Sequence, residues 1–408
     1  MASAALDHMI SLIIFMAAIM IFIGLFSNTM QTGLAYERHN ALSTKTSDLL
    51  DTILLNPGLP DNWGQSDTSV VGLGLQDPDF NQYKLSSSAC MRLASSTQTP
   101  IYYPRTASYY SNVTGGFGGY MLASNAKCLN SSTASKLLGI NGTYGFQLTL
   151  SPTITVSITK ISSGQPAQFT VSAVGTGYPL ANAPFSYSLV QVKQDANSIP
   201  SYTVTNGVGV VDSIGSAQLS FPINGENQVY ALIVYTYLDG LKGIGYYLQN
   251  PQSSTKNVVP LIDSFQNRNV TLVHSDSVGQ PSASPSYSLL SYNASFVILT
   301  EEYTLRQVAL DQPSAFGSVY NSGSGQNFSS ITLPDSDGIL IVTCKGTAGQ
   351  YGLVLMSWGL GSLAFPLTFG GNPAGQEWVT TDLRQVTIGG IAYQAKLELW
   401  NLAYTGSG

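Results

Sequence analysis

Residues 9–26, MISLIIFMAAIMIFIGLF, form a run of eighteen positions without one ionisable group, close to the start of the chain. At ~1.5 Å rise per residue a helix through them spans ~27 Å, about the thickness of a bilayer core and longer than an ordinary secretory h-region. Such a segment must go into lipid or against other apolar helices. Beyond about residue 60 the chain turns polar, rich in Gly, Ser and Thr, and alternates in period two. One apolar helix is therefore expected to carry a large, mostly-β exterior.

Asp7 and His8 are the only acidic or basic residues before Glu37, and no Lys or Arg precedes the run. It lacks the basic n-region of a secretory leader, so despite the small residues at Gly33-Leu34-Ala35 the helix is expected to be retained. Arg38 and Lys45 both follow the run, so flanking charge sets no orientation. The helical pattern continues through Met30, Leu34, Ala41, Leu42, Leu49, Leu50, Ile53 and Leu54, now on one side only and without proline. Asn56-Pro57-Gly58 should end it, because proline lacks the amide a helix needs and glycine permits a turn. The prediction is one rod of about 50 residues, roughly 75 Å long. Ile10, Ile13, Ile14, Ala17, Ile21 and Leu25 are its expected inner-core positions, with Leu42, Leu49 and Ile53 extending the assembly core below the globular part.

The approach Ala4-Ala5-Leu6-Asp7-His8 into the run, followed by SDLLDTILLNPGLPDNWG at residues 47–64, resembles archaeal type IV pilin-like surface proteins over roughly the first 65 residues. The resemblance implies a helix stored in the membrane, then extracted by an assembly machinery and bundled with identical subunits into a helical polymer, with globular domains outside. Prepilins usually carry a short basic leader, which this sequence lacks, and Asp7 is a rough positional analogue of a glutamate in bacterial relatives. The alternative is a membrane-anchored monomeric cell-surface adhesin or envelope protein that keeps the same helix as a permanent anchor.

Composition narrows the partners. A length of 408 residues suits two or three domains besides the helix. Only 9% of residues are charged and the sixteen Lys and Arg are scattered, which excludes a nucleic-acid partner. Aromatic residues at 10% exclude a disordered chain. Six N-glycosylation sequons, at Asn112, Asn130, Asn141, Asn269, Asn293 and Asn327, leave the rod bare and suit a sugar-coated exterior. Cys90 and Cys128 fall in one expected domain and could form a disulfide or remain two thiols, whereas Cys344 reads as a buried strand residue.

The fold class expected is a long N-terminal α-helix (1–58) followed by mostly-β globular domains: a small α+β segment (59–152) and two Ig-like β-sandwiches (153–258 and 259–408). Thr153 to Thr159 alternates as a half-buried strand, and further runs follow at strand length. Asp239-Gly240 and Gly389-Gly390 are hairpin signals. Gly177-Tyr178-Pro179-Leu180-Ala181-Asn182-Ala183-Pro184-Phe185 resembles the loop-to-strand pattern of Ig-like repeats in surface proteins.

Catalytic chemistry finds no foothold. His8, His39 and His274 lie far apart, and no nucleophile elbow, phosphate loop or zinc motif occurs, so neither enzyme activity nor a cofactor is expected. Asp77-x-Asp79-x-Asn81 starts like a calcium loop, but Gln82 replaces the turn glycine and Ser88 the bidentate glutamate. Asp335-Ser336-Asp337-Gly338 reads as a strand connection, so no metal is expected. The tyrosine pairs 102–103, 109–110 and 246–247 suit either adhesive contacts or ordinary strand surface.

Overall fold

The structure is a computed structural model that describes residues 2–79, 83–93, 101–103, 106–112, 119–120, 122–124, 127–162, 164–194, 199–250, 257–275, 288–310, 315–322, 325–347, 349–376 and 378–402. Helix α1 (Ala2–Leu54) is unbroken over 53 residues, about 80 Å. It stops where the sequence places the stop. Asn56 Oδ1 accepts the Gly58 N–H at 2.8 Å, and Gly58 turns the chain at φ 89°. A Cβ on Gly58 would lie 2.7 Å from both the Gly72 carbonyl oxygen and Trp63 Nε1, so glycine is required there. From Asp7 to Ala41 the side chains are exposed except for half-buried Ala35; then Leu42, Thr46, Leu49, Leu50, Ile53 and Leu54 are buried. These six share one helical stripe.

The stripe packs on a five-stranded head sheet ordered β1-β25-β26-β6-β24. Its strands are β1 (Lys84–Leu85), β6 (Tyr144–Pro152), β24 (Leu367–Gly370), β25 (Val379–Ile388) and β26 (Ile391–Asn401), with α2 (Ser87–Leu93) and α3 (Ser131–Leu137) beside them. The β25–β26 hairpin turns at Gly389-Gly390, both at positive φ, as its glycine pair predicts. Its neighbour is β6, paired with β26 from Tyr144↔Asn401 to Pro152↔Tyr393. The chain therefore leaves the head for a second time at Pro152, completes both sandwiches, and returns at Leu367.

The first sandwich comprises β7 (Ile154–Ser162), β8 (Ala167–Gly175), β9 (Tyr178–Pro179), β10 (Pro184–Lys193), β11 (Ser201–Val210), β12 (Ser216–Phe221), β13 (Tyr230–Leu238) and β14 (Leu241–Gln249). Their order, β11-β10-β13-β14-β7-β8-β12, is two antiparallel layers joined by one parallel pairing, Ile244↔Thr155. That is the connectivity of an immunoglobulin-like sandwich. Ile154, Val156, Phe169, Phe185 and Phe221 alternate into its core. β13 departs from alternation because both its faces are covered: Tyr230, Leu232 and Val234 face this core, while Ala231, Ile233 and Tyr235 join the core shared with the rest of the molecule.

The second sandwich faces one sheet against another. The first, ordered β2-β3-β5-β15-β16-β21, holds β2 (Ile101–Tyr103), β3 (Ser108–Asn112), β5 (Leu122–Ser124), β15 (Val258–Ser264), β16 (Asn269–His274) and β21 (Ser329–Thr332). The other, ordered β20-β19-β17-β22-β23-β4 with β18 on β17, holds β4 (Gly119–Tyr120), β17 (Ser288–Leu299), β18 (Leu305–Val308), β19 (Phe316–Ser322), β20 (Gly325–Asn327), β22 (Gly338–Gly346) and β23 (Tyr351–Trp358). β5 and β4 join by parallel pairing with β15 and β23. The expected boundaries are thus redrawn. Segment 59–152 divides between head and second sandwich, and the end of 259–408 belongs to the head, because strand pairing between distant segments overrides proximity in sequence.

Candidate assembly surface

Between Met9 and Phe26 fourteen large apolar side chains stand exposed around the whole circumference of α1, with Ile14 64% and Phe22 68% accessible. Their burial from water would be worth on the order of 20 kcal/mol or more, at ~1.5 to 3 kcal/mol for each side chain. A monomer in water does not leave such a patch uncovered. Two hydroxyls on the way out bond back within the helix: Thr29 donates to the Leu25 carbonyl at 2.9 Å and Thr32 to that of Asn28 at 2.8 Å. Gly24 and Gly33 face open space, so nothing within the chain requires glycine at either position, although each weakens a helix by about 1 kcal/mol relative to Ala.

Of the residues assigned to the assembly core, Ile10, Ile13, Ile14, Ala17, Ile21 and Leu25 are all exposed and available to a neighbour. Leu42, Leu49 and Ile53 are not. They are buried against the chain's own head, because the hairpin at its far end folds back onto them, and they fix the rod rather than join rods together.

Polar contacts lock that junction. Thr46 and Thr380 hydroxyls meet at 2.6 Å. Arg384 reaches from β25 to Asp51 at 3.2 Å and Ser47 at 3.0 Å, held in place by Asp382 at 2.7 Å. Below the rod, Trp63 is fully buried and donates its indole N–H to the Gly74 carbonyl at 2.8 Å. The Arg92 guanidinium stacks 5.3 Å from that ring and donates to the carbonyls of Lys127 at 2.8 Å, Ser66 at 2.7 Å, Thr68 at 3.2 Å and Trp63. Burial lowers its pKa, and Asp67 opposes that shift. Where the rod leaves the head, Leu34, Arg38, Leu42 and Trp378 line a groove of ≈ 360 Å³.

The two acidic motifs converge. Asp77 and Asp79 share a cleft between head and second sandwich with Asp335 and Asp337, while Asn81 lies outside the described residues. Lys84 pairs with Asp77 at 3.3 Å and Arg268 with Asp335 at 3.5 Å, and among the described residues no group of three His, Cys, Asp or Glu is set to hold a metal. Asp337 is reached by solvent yet hemmed in by protein, which pushes its carboxyl up to about 6 despite Ser87 and Lys84, with Asp77 adding to the rise. Because the folded-state pKa is raised, ionisation of Asp337 destabilises the joint above about pH 6, and stability is regained as pH falls toward 4. The Asp337→Asn chain should melt higher than the parent at pH 7.5 and converge with it only by about pH 3.5; a difference independent of pH would contradict this.

The remaining candidates are dispersed. His8 and His39 are exposed on the rod, and His274 is buried with Nε2 3.1 Å from Ser288 Oγ. Cys90 is buried near Asp337, and burial drives its thiol pKa upward. Cys128 lies instead beside Arg92, and the two sulfurs are not bonded, so the possible disulfide gives way to two thiols in different surroundings. Asn130, Asn141 and Asn327 are exposed. Asn269 is half-buried and accepts from Ser330 at 2.7 Å, and Asn293 sits in β17 between β19 and β22; the side chain of Asn112 lies outside the described residues. The tyrosine pairs split across their strands: Tyr103 and Tyr110 are buried while Tyr102 and Tyr109 meet outside at 4.9 Å, and Tyr246 packs on Phe365 while Tyr247 packs on Phe169. Sequence reasoning missed Arg92, Arg384 and Thr46, since nothing local marks the carbonyls or distant hydroxyls they meet.

No family model and no curated protein matches the chain. Among solved structures, Escherichia coli alpha-2-macroglobulin is similar at 10% identity and TM-score 0.23, over 72% of this chain and 22% of that one. The FN1–FN3 domains of chicken CNTN1 are similar at 11% identity and TM-score 0.15, over 51% and 68%. A bacterial ice-binding adhesin is similar at 15% identity and TM-score 0.17, over 57% and 69%. The chain thus spans about a fifth of the macroglobulin's length, and at these TM-scores the likenesses carry no argument; the immunoglobulin-like assignment rests on strand order.

Proposed function

We propose that the chain is a structural subunit of an archaeal type IV pilus-like extracellular filament, held in the membrane before assembly and then bundled with identical subunits by a pilus assembly machinery. The observation that carries this reading is the division of α1: one half is apolar and exposed on every side, and the other is clamped to a head. A helix exposed all round suits a position among several neighbours, and Gly24 lets one of them approach closely without serving any contact inside the chain. The clamp transmits the position of the rod to the head, so a regular core gives a regular exterior. Glycans belong at Asn130, Asn141 and Asn327, where the side chains reach solvent, on a coat that adheres or protects.

A membrane-anchored monomer would use the same apolar half, with lipid in place of neighbours. Electron microscopy of sheared cell-surface material separates the two. Filaments that contain this chain are expected, and recovery only from detergent-solubilised membranes would overturn the filament reading.

A further inference from the structure

Among the described residues the sheets end in strands of six residues or fewer, with one exception. The head sheet is bounded by strands of 2 and 4 residues, one sheet of the second sandwich by 3 and 4, and the other by 3 and 2. In the first sandwich, β11 forms an edge of 10 residues. It pairs in continuous register with β10 on one side, from Ser201↔Lys193 to Val210↔Pro184, without a bulge. On its other side no backbone hydrogen bond from residues 201–210 is found among the described residues. Its sequence, Ser-Tyr-Thr-Val-Thr-Asn-Gly-Val-Gly-Val, holds no charge and no proline, so neither of these nor a bulge protects the edge. The two glycines do not loosen it, because the Tyr187 and Phe185 rings lie directly across and cover Gly207 and Gly209. Beyond the part that leans on the second sandwich through Tyr202 and Val204, Val208 and Val210 are 81% and 60% exposed.

An open edge of this kind recognises one thing, an extended strand. We propose that β11 pairs antiparallel with β11 of a second copy about a two-fold axis, joining two first sandwiches into one continuous sheet. The strand complements itself. Neither edge carries charge to repel the other, and the lengths match, whereas the sandwich's second edge, β12, has 6 residues. A two-fold perpendicular to the sheet sets like faces opposite, so with Asn206 against its own copy, Val208 stands across from Val204 and Val210 across from Tyr202. The two exposed valines are then covered. The contact is isologous and closes at two chains, so it links copies side by side and does not itself propagate a polymer.

The test uses the full chain in detergent micelles, carrying Ile14→Asp so that bundling of the rods does not contribute. Asn206→Cys, at the two-fold, should give an oxidised dimer that Val208→Lys reduces about tenfold, through a charge set against Val204 of the other copy. Gln218→Cys, exposed on β12, should give little dimer. Equal cross-linking at 206 and 218, or no effect of Val208→Lys, would overturn the pairing. Should filaments never be found, this result stands or falls by itself.

Discussion

The Ile14→Asp chain is expected to form no filaments while its head and both sandwiches melt as in the parent. Ile14 is 64% exposed and touches nothing that the chain's own fold depends on, so intrachain stability should change by less than about 0.5 kcal/mol. A carboxylate at that depth is another matter. It costs ~2.5 to 3.5 kcal/mol at the centre of a membrane-inserted helix, and several kcal/mol when buried unpaired between helices. The penalty recurs in every subunit of a polymer. Filaments of normal length and number would contradict the assigned role of the run. Gly24→Leu sharpens the outcome, because a leucine there meets open space within the chain and favours lipid, yet would fill the close approach that the filament proposal assigns to neighbouring rods. Membrane insertion should survive that change and filament assembly should not.

The second large effect concerns the base of the clamp. Arg92→Ala removes a buried guanidinium that serves the carbonyls of Trp63, Ser66, Thr68 and Lys127, and it exposes one face of the Trp63 ring. Buried acceptors left without donors cost ~1 to 3 kcal/mol each before relaxation, so a loss of roughly 3 to 5 kcal/mol is expected. Trp63→Ala should cost a similar ~3 to 5 kcal/mol through the cavity it leaves. Arg92→Lys should recover only part of the loss, since an ammonium cannot spread donors in a planar fork. Thermal unfolding followed through the aromatic signal reads all three. An unchanged melting curve for Arg92→Ala would show that the carbonyls find water instead.

The parts of this fold that were legible in the sequence are those whose cause is local. Eighteen residues without a charge, a one-sided stripe and a Pro-Gly stop define α1 to within a few residues of its observed end. Asp239-Gly240 and Gly389-Gly390 mark hairpins because both backbones turn through positive φ. The partners of those hairpins were not legible. Whether β26 pairs with β6 or with a strand of the second sandwich depends on which surfaces remain after a detour from Pro152 to Leu367. For the same reason Leu42, Leu49 and Ile53 looked like assembly residues until the returning hairpin covered them. The acidic pairs around Asp77 and Asp337 read as separate turns, and only the fold of head onto sandwich sets them in one cleft.

In the assembled protein residues 7–34 are expected to touch copies of themselves. A photo-activatable benzophenone side chain in place of Phe22, which is exposed in the isolated chain, tests it in intact cell-surface material. Irradiation should give chain-to-chain adducts whose cross-links map within the apolar half of a second α1. Adducts to lipid alone, with no chain-to-chain product in the shed or sheared fraction, would contradict the account and leave the helix as an anchor.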